Sequence, residues 1–357
     1  MTKAPKGIDI PSEWEDVIPK IESKGGTVLL LGAPDTGKST FVRFLIDRWT
    51  RQGITVGIVD GDVGQSMLGP PTTVGLGMCR EPSEPELISM RFVGSTSPYG
   101  HMLATVIAIK KLVDKAIKLG AEITLVNTTG LVHGDLARRL KSQKIELINP
   151  EHILALQRNN EIEHLLAPYQ KEGRIVLHRL PVSRTVRTKS VQERRAFREK
   201  LFRKYFENAE SRGVYIEEIA TQATQLGSGK RLASSDLNFL SKVLKTHVLY
   251  GERSSEGILV ITNGNHFEEE VFRIKRHYDV TEVSILNVDG YRNLLVGLND
   301  SDSNTLALGI IEDLDLKYGK LSILTPLSSS AEVKAVRFGS LKLTPSGKEI
   351  GKVTHHD

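Results

Sequence analysis

Up to about residue 207, short unbroken apolar runs alternate with stretches whose apolar residues recur every three or four positions. The unbroken runs predict strands over 28–32, 55–59, 89–93, 123–126, 152–156 and 175–177. Helical spacing appears over 39–50 (Phe41, Phe44, Leu45, Trp49), over 99–119 (Leu103, Val106, Ile107, Leu112, Ile117), over 134–142, and again from 161. The Pro-rich stretch 69–85 predicts loops, and residues 8–25, with Pro11, Trp14 and Ile18, read as a lead-in packed beside the first strand. Strands that are apolar throughout, each followed by a helix, predict an α/β fold whose parallel sheet carries helices on both faces. Ligands of such sheets bind at the carboxyl ends of the strands.

Beyond residue 208 the texture changes. Short β-type runs at 258–261, 282–287, 293–298, 305–311, 321–324 and 332–337 are separated by Gly, Asn, Asp and Ser. They predict a smaller, mainly-β and largely antiparallel domain over 208–357, entered through a helix at 236–249.

The first strand runs directly into Gly32-Ala33-Pro34-Asp35-Thr36-Gly37-Lys38-Ser39-Thr40, which fills the pattern G-x-x-x-x-G-K-[ST]. Glycines let successive backbone N–H groups curl inward, the lysine reaches the β- and γ-phosphates, and the Ser39 hydroxyl suits Mg²⁺. The helix that follows points its positive end at the same place. These residues imply a P-loop site for a nucleoside triphosphate.

The second strand ends Asp60-Gly61-Asp62-Val63-Gly64-Gln65, so two carboxylates and an amide emerge beside the phosphate loop. A carboxylate there holds the waters of a metal or accepts a proton from an attacking hydroxyl. Gly94-Ser95-Thr96-Ser97-Pro98-Tyr99-Gly100 sits between a strand and a helix, where its hydroxyls suit either phosphate contacts or a helix cap. Asn127-Thr128-Thr129-Gly130 reads either as a site edge or as a plain turn. Over 184–204 basic residues dominate, and Arg194 and Arg198, four apart, share one helix face.

Composition adds bounds. Hydrophobic residues make up 39% of the 357, enough for more than one core, and the net charge of +5 mildly favours a polyanionic partner. Cys79 is the only cysteine, which excludes an intramolecular disulfide and fits a reducing, cytoplasmic setting. The N-terminal Met-Thr-Lys-Ala-Pro-Lys-Gly lacks the apolar core of a signal peptide, and no run is long enough to span a bilayer. Aromatics at 6% argue against an extended base-stacking platform.

Taken together, the phosphate loop, Asp62-Val63-Gly64-Gln65, the Gly-Ser-Thr-x-Pro segment and the basic stretch ending Arg203-Lys204-Tyr205-Phe206 resemble the P-loop RNA 5′-hydroxyl polynucleotide kinases, in their archaeal or bacterial form. Eukaryotic members of that family include the kinase subunit of the pre-mRNA cleavage complex. The resemblance covers about residues 26–206 and implies a kinase domain over 26–207, preceded by the lead-in at 1–25 and including a basic lid helix at 184–206. It implies that Gly32 to Thr40 bind ATP, with Lys38 and Ser39 serving the phosphates and Mg²⁺, and that Asp62 is the general base. Gln65 and Asp60 are expected around the metal, Thr96, Ser97 and Gly100 as a clasp over the nucleotide, and Arg194 and Arg198 as lid cations. Tyr99, inserted between Pro98 and Gly100, departs from the family clasp; Arg187 and Lys189 compete for a third lid cation; and Gln157 is the candidate at the adenine. The expected partner is the 5′-hydroxyl end of RNA or DNA, with no membrane and no protein partner specified. A P-loop GTPase or metal-insertion factor, and a non-catalytic ATP-bound scaffold of an RNA-processing complex, are the alternatives. The chain has no Asn-Lys-x-Asp guanine motif.

Overall fold

In the computed structural model, which describes residues 9–264 and 268–353, the chain divides into one unit that runs to Arg198 and a second that begins at Glu199. Residues 1–8 of the expected lead-in lie outside the described residues.

The first unit is built on strands β1 (Gly26–Gly32), β2 (Val56–Gly61), β3 (Thr73–Cys79), β4 (Glu86–Phe92), β5 (Ile123–Thr128), β6 (His152–Gln157) and β7 (Val176–Pro181). They form one sheet in the order β4-β3-β2-β5-β1-β6-β7. From β2 to β7 all neighbours are parallel, while β3 and β4 add an antiparallel edge. Alternation along the strands decides the layers. Val28, Leu30, Ile58, Leu125 and Leu154 face α1 (Ser12–Asp16), α2 (Ile18–Glu22) and α3 (Lys38–Arg51), where Trp14, Phe41 and Trp49 are fully buried. Leu29, Leu31, Val59, Val126 and Ile153 face the other way, against α4 (Met102–Lys118), α5 (Gly134–Ile148) and α6 (Glu163–Leu166). Each such side chain contributes about 1.5–3 kcal/mol by leaving water, so both layers are firmly seated.

Strand β3 corrects the expectation of loops over 69–85. Its run Thr-Val-Gly-Leu-Gly-Met-Cys hides a strand behind two glycines that close packing demands. A Cβ on Gly75 would come within 2.4 Å of the Leu68 carbonyl oxygen, and one on Gly77 within 2.8 Å of that of Glu86. The glycines let the segment after β2 lie directly on the strand.

A long helix, α7 (Val191–Tyr205), contains the division between the units. The expected lid helix over 184–206 therefore starts later, at a capping box. The Ser190 N–H donates to Glu193 Oε2 at 2.7 Å, and the Glu193 N–H donates to Ser190 Oγ at 3.1 Å.

In the second unit, β8 (Glu210–Tyr215) and β9 (Ala220–Gln222) precede β10 (Lys230–Arg231), α8 (Ser234–Leu244), β11 (Val248–Arg253), β12 (Gly257–Thr262), α9 (Glu268–Tyr278) and β13 (Glu282–Asn287). Then follow β14 (Leu294–Asn299), β15 (Thr305–Asp315), β16 (Lys320–Thr325), β17 (Ala335–Leu343) and β18 (Glu349–Lys352). One sheet runs β18-β17-β14-β15-β16-β8, antiparallel throughout, with β9 parallel to β17. The other runs β10-β11-β12-β13, and β12 and β13 are parallel across α9. This small α/β layer was not expected from the sequence. The helix expected over 236–249 ends at Leu244, because Lys245 turns left-handed (φ 51°) and Val248 and Leu249 enter β11.

Candidate active site

At the carboxyl edge of the parallel strands, β1 hands over to α3 through the loop 33–37. Gly32 has no room for a side chain: a Cβ would lie 2.7 Å from the Leu156 carbonyl oxygen and from Thr36 Oγ1. Gly37 takes φ 81° at the helix N-cap, leaving the first N–H groups of α3 open toward an anion. The buried Thr36 hydroxyl donates to the Ala33 carbonyl at 3.0 Å and fixes the turn, while Ser39 and Thr40 are partly exposed in the first helical turn. Lys38 is 8% exposed, and its ammonium donates to the Gly32 and Ala33 carbonyls at 3.0 and 2.7 Å. Burial lowers its pKa, and the carboxylates of Asp62 and Asp35 act against that shift.

Two residues apart, Asp60 and Asp62 have different surroundings. Asp60 has no exposure. Its Oδ2 accepts from Ser66 Oγ and from the Met67 and Leu68 N–H groups at 3.1, 2.6 and 3.1 Å. Its Oδ1 accepts from Asn127 Nδ2 at 2.9 Å and the Asp62 N–H at 3.3 Å. Burial, and secondarily the charge of Asp62, push its pKa up to about 6 against these hydrogen bonds. Asp60, expected at the metal, is thus placed as the internal anchor of the loop that carries Asp62. Asp62 is partly exposed; its Oδ1 accepts from the Gly64 and Gln65 N–H groups at 3.2 and 3.0 Å, and its Oδ2 accepts nothing among the described residues. Gln65 donates through Nε2 to the Gly64 and Arg194 carbonyls, while its buried Oε1 has no partner among the described residues.

The end of β5 forms a wall. A Cβ on Gly130 would strike Pro34 N at 2.7 Å, so the turn after β5 lies against the phosphate loop. Asn127 Oδ1 and Thr129 Oγ1 are buried and unpartnered among the described residues. Behind them, Lys141 of α5 donates to Thr128 Oγ1 at 2.9 Å and to the Thr129 carbonyl at 2.7 Å. Lys144, one turn on, is fully buried with no partner for its ammonium among the described residues, and burial lowers its pKa to about 8. For Lys141 burial, with Lys144 and Lys38 nearby, drives the pKa well down.

On the opposite side the clasp touches the acidic loop: a Cβ on Gly64 would be 2.7 Å from the Thr96 carbonyl oxygen. Ser97 and Gly100 follow in a hydrogen-bonded turn. Of the lid residues, Arg194 pairs with Asp35 Oδ2 at 2.5 Å, and the same oxygen accepts the Lys189 N–H at 3.1 Å. Arg158, which the sequence did not single out, donates to the Asp35 carbonyl. Arg198 lies one turn beyond Arg194, partly buried. Neither candidate for the third cation is placed at the phosphate loop by its side-chain contacts. Arg187 pairs with Glu193 at 3.0 Å, and the Lys189 ammonium lies over the Phe197 ring. Val186 instead lies beside Gly37, its Cγ2 2.9 Å from where a Cβ would stand. Gln157, at the end of β6, donates to Glu163 Oε1 at 2.6 Å and accepts from the Ile162 N–H at 3.3 Å, which makes it a brace between β6 and α6.

The chain that carries this site matches a known family. The description "mRNA cleavage and polyadenylation factor CLP1 P-loop" matches residues 32–208. The polyribonucleotide 5′-hydroxyl-kinase of Methanocaldococcus jannaschii is 30% identical over 98% of this chain and 97% of its own length. This chain belongs to the polyribonucleotide 5′-hydroxyl-kinase family. The Pyrococcus abyssi kinase of the same name is 29% identical over 96% of this chain and 95% of its own. The solved Clp1p–Pcf11p complex shares the fold, with a TM-score of 0.61 at 12% identity over 93% of this chain and 79% of that one.

The sequence left several features of this family member's site unseen: the Asp60 anchor, the convergence of Arg194 and Arg158 on Asp35, and the buried lysines of α5. The lysines carried a readable signal. Ala137, Lys141, Lys144 and Ile148 recur at helical spacing on the apolar stripe of α5, where a surface charge does not belong.

Proposed function

We propose that this chain is an ATP- and Mg²⁺-dependent kinase that transfers the γ-phosphoryl group to the 5′-hydroxyl end of RNA, and of DNA where the terminus fits. The observation that carries the mechanism is Asp62, whose one oxygen is fixed by loop amides while the other is unengaged, beside the buried Lys38. The site also fits Mg²⁺, a hard cation that takes oxygen ligands and keeps several waters. The Ser39 hydroxyl and the unpartnered Gln65 Oε1 are such donors, with Asp60 acting through the loop it holds, and Asp62 Oδ2 is left for the acceptor. When bound, Mg²⁺ neutralises β- and γ-phosphate oxygens.

In this reading the Lys38 ammonium exchanges two backbone carbonyls for phosphate oxygens, and the N–H groups of the loop and of α3 hold the rest. Asp62 Oδ2 accepts the proton of the 5′-hydroxyl as its oxygen bonds to the γ-phosphorus, and ADP leaves with the electrons of the broken P–O bond. Because phosphoryl transfer passes through a loose transition state, a carboxylate is base enough. Arg194 and Arg198 neutralise charge on the group in flight. A cytoplasmic setting is supported by the single cysteine, Cys79, which is buried.

The test is transfer from γ-labelled ATP to matched RNA and DNA oligomers carrying either a 5′-hydroxyl or a 5′-phosphate. Label should appear only on 5′-hydroxyl ends and require Mg²⁺. A purified chain that labels neither acceptor refutes the reading.

A further inference from the structure

The acidic loop is flanked on two sides. Gln65 bonds the Arg194 carbonyl of the lid at 3.3 Å, and Gly64 abuts Thr96 of the clasp. The lid brings cations; the clasp brings an aromatic ring. Tyr99 is 75% exposed, and among the described residues its ring meets no other ring and no cation. It is not a loose surface residue. Its N–H donates to Ser97 Oγ at 3.3 Å, and the turn closes with the His101 N–H on the Pro98 carbonyl at 2.9 Å. Gly100 takes φ 70° with nothing within 4 Å of a Cβ, so the backbone of this turn, not crowding, calls for glycine. An ordered turn therefore holds the ring in water.

Nor is the ring isolated. Leu103 (72% exposed) and Ile107 (40%), four apart on the first turns of α4, form a short exposed apolar stripe that begins four residues along the chain from it. Tyr99 is three steps along the chain from Thr96, a reach of at most about 10 Å, comparable to one nucleotide. Because Gly64, two residues from Asp62, abuts Thr96, a strand whose 5′-oxygen sits at Asp62 has its first base within reach of this ring.

We propose that Tyr99 stacks on the nucleobase of the acceptor's 5′-terminal nucleotide. This rests on the kinase reading above and narrows it. One ring grips a single base by its π-face, whatever its identity, which suits an enzyme that meets ends of any sequence. The lid cations then meet the phosphates that follow. It also gives a use to the residue by which this clasp departs from the family form.

The experiment compares two 5′-hydroxyl oligonucleotides, identical except that the first nucleotide is normal in one and abasic in the other. Their KM values in transfer, and their affinities by fluorescence anisotropy without ATP, are measured for the parent, Tyr99→Ala and Tyr99→Trp. The parent should favour the base-bearing strand by roughly 5- to 100-fold. Tyr99→Ala should bind both strands alike, and Tyr99→Trp should keep the preference. An unchanged melting temperature establishes that the variants fold. If the parent does not discriminate, or Tyr99→Ala discriminates as the parent does, the stacking site is refuted and the stripe belongs to another partner. Binding preference without any phosphoryl transfer would support stacking while refuting the kinase reading.

Discussion

The floor of the site and its lid are built on different terms. Floor residues are set by burial and by backbone: Thr36 and Asp60 have no exposure, Asn127 has 1%, and Lys38 is gripped by two carbonyls. The lid segment from Arg184 to Arg198 is mostly exposed, and Arg194, Lys189 and Arg158 converge on one phosphate-loop residue, Asp35. Thr36 and Asp60 are buried with satisfied partners and do not rearrange cheaply, so that part of the floor is ready before ATP arrives, and Lys38 has only to trade its two carbonyls for phosphate. An ion pair with a carboxylate is a contact for which a triphosphate competes directly. The lid arginine is parked on an anion like the one it must later serve.

The sharpest way to break that comparison is to remove one working group from each side. On the lid, Arg194→Ala should lower kcat by roughly 10³-fold, at the lower end of the effect of arginines that neutralise a transferring phosphoryl group. On the floor, Asp62→Asn should cost less, roughly 10²-fold, since a loose transition state needs little early deprotonation. ATP affinity, read by equilibrium binding, should stay near the parent value for Asp62→Asn. Near-parent turnover of either variant would remove that residue from the mechanism.

The floor was more legible in the sequence than the lid, for a physical reason. Lys38, Ser39 and Asp62 sit in short motifs at strand ends, where local pattern alone fixes what they face. Asp60 looked equivalent to Asp62 because nothing in a linear reading shows the chain turning back to offer it the Met67 and Leu68 N–H groups. The same blindness hid β3, whose glycines read as loop but answer to a neighbouring segment. In the second unit, Ile258–Ile261 and Glu282–Asn287 were visible as β runs, yet their parallel pairing depends on a crossover helix that the hydrophobic rhythm did not announce. On the lid, the partners of Arg187 and Arg194 are charges, and charge runs carry no periodic signal of what they touch.

A milder change tests the parked arginine. Asp35→Asn keeps a residue that tolerates the left-handed backbone at that position (φ 54°) but removes the charge. Arg194 then has no carboxylate to leave, and the incoming phosphates meet one negative charge fewer. KM for ATP should fall by about three- to tenfold at low salt, and the gain should shrink as ionic strength rises. A KM that rises instead would mean that Asp35 positions Arg194 for the reaction rather than holding it back.

The smallest effect on turnover, and the cleanest contrast between buried floor and exposed lid, is expected at Lys144. Burial brings its pKa from 10.5 down to about 8. Below pH 8 the ammonium is charged in both folded and unfolded chains, so the folded state bears the full cost of desolvating it. Between about pH 8 and 10.5 the unfolded chain binds the proton and the folded one does not, so this cost is relieved as pH rises. Lys144→Met keeps the length and apolar stem without the charge. It should melt a few degrees above the parent at pH 7, helped by sparing Lys141 a like-charged neighbour, and the gap should narrow by pH 10. Arg187→Met, on the 75%-exposed lid side chain, should show no such pH-dependent gap, because water already screens that charge. A Lys144→Met gap that stays constant or widens with pH would show that the ammonium is solvated in the folded protein, and that the rear of the floor is not the dry wall its packing describes.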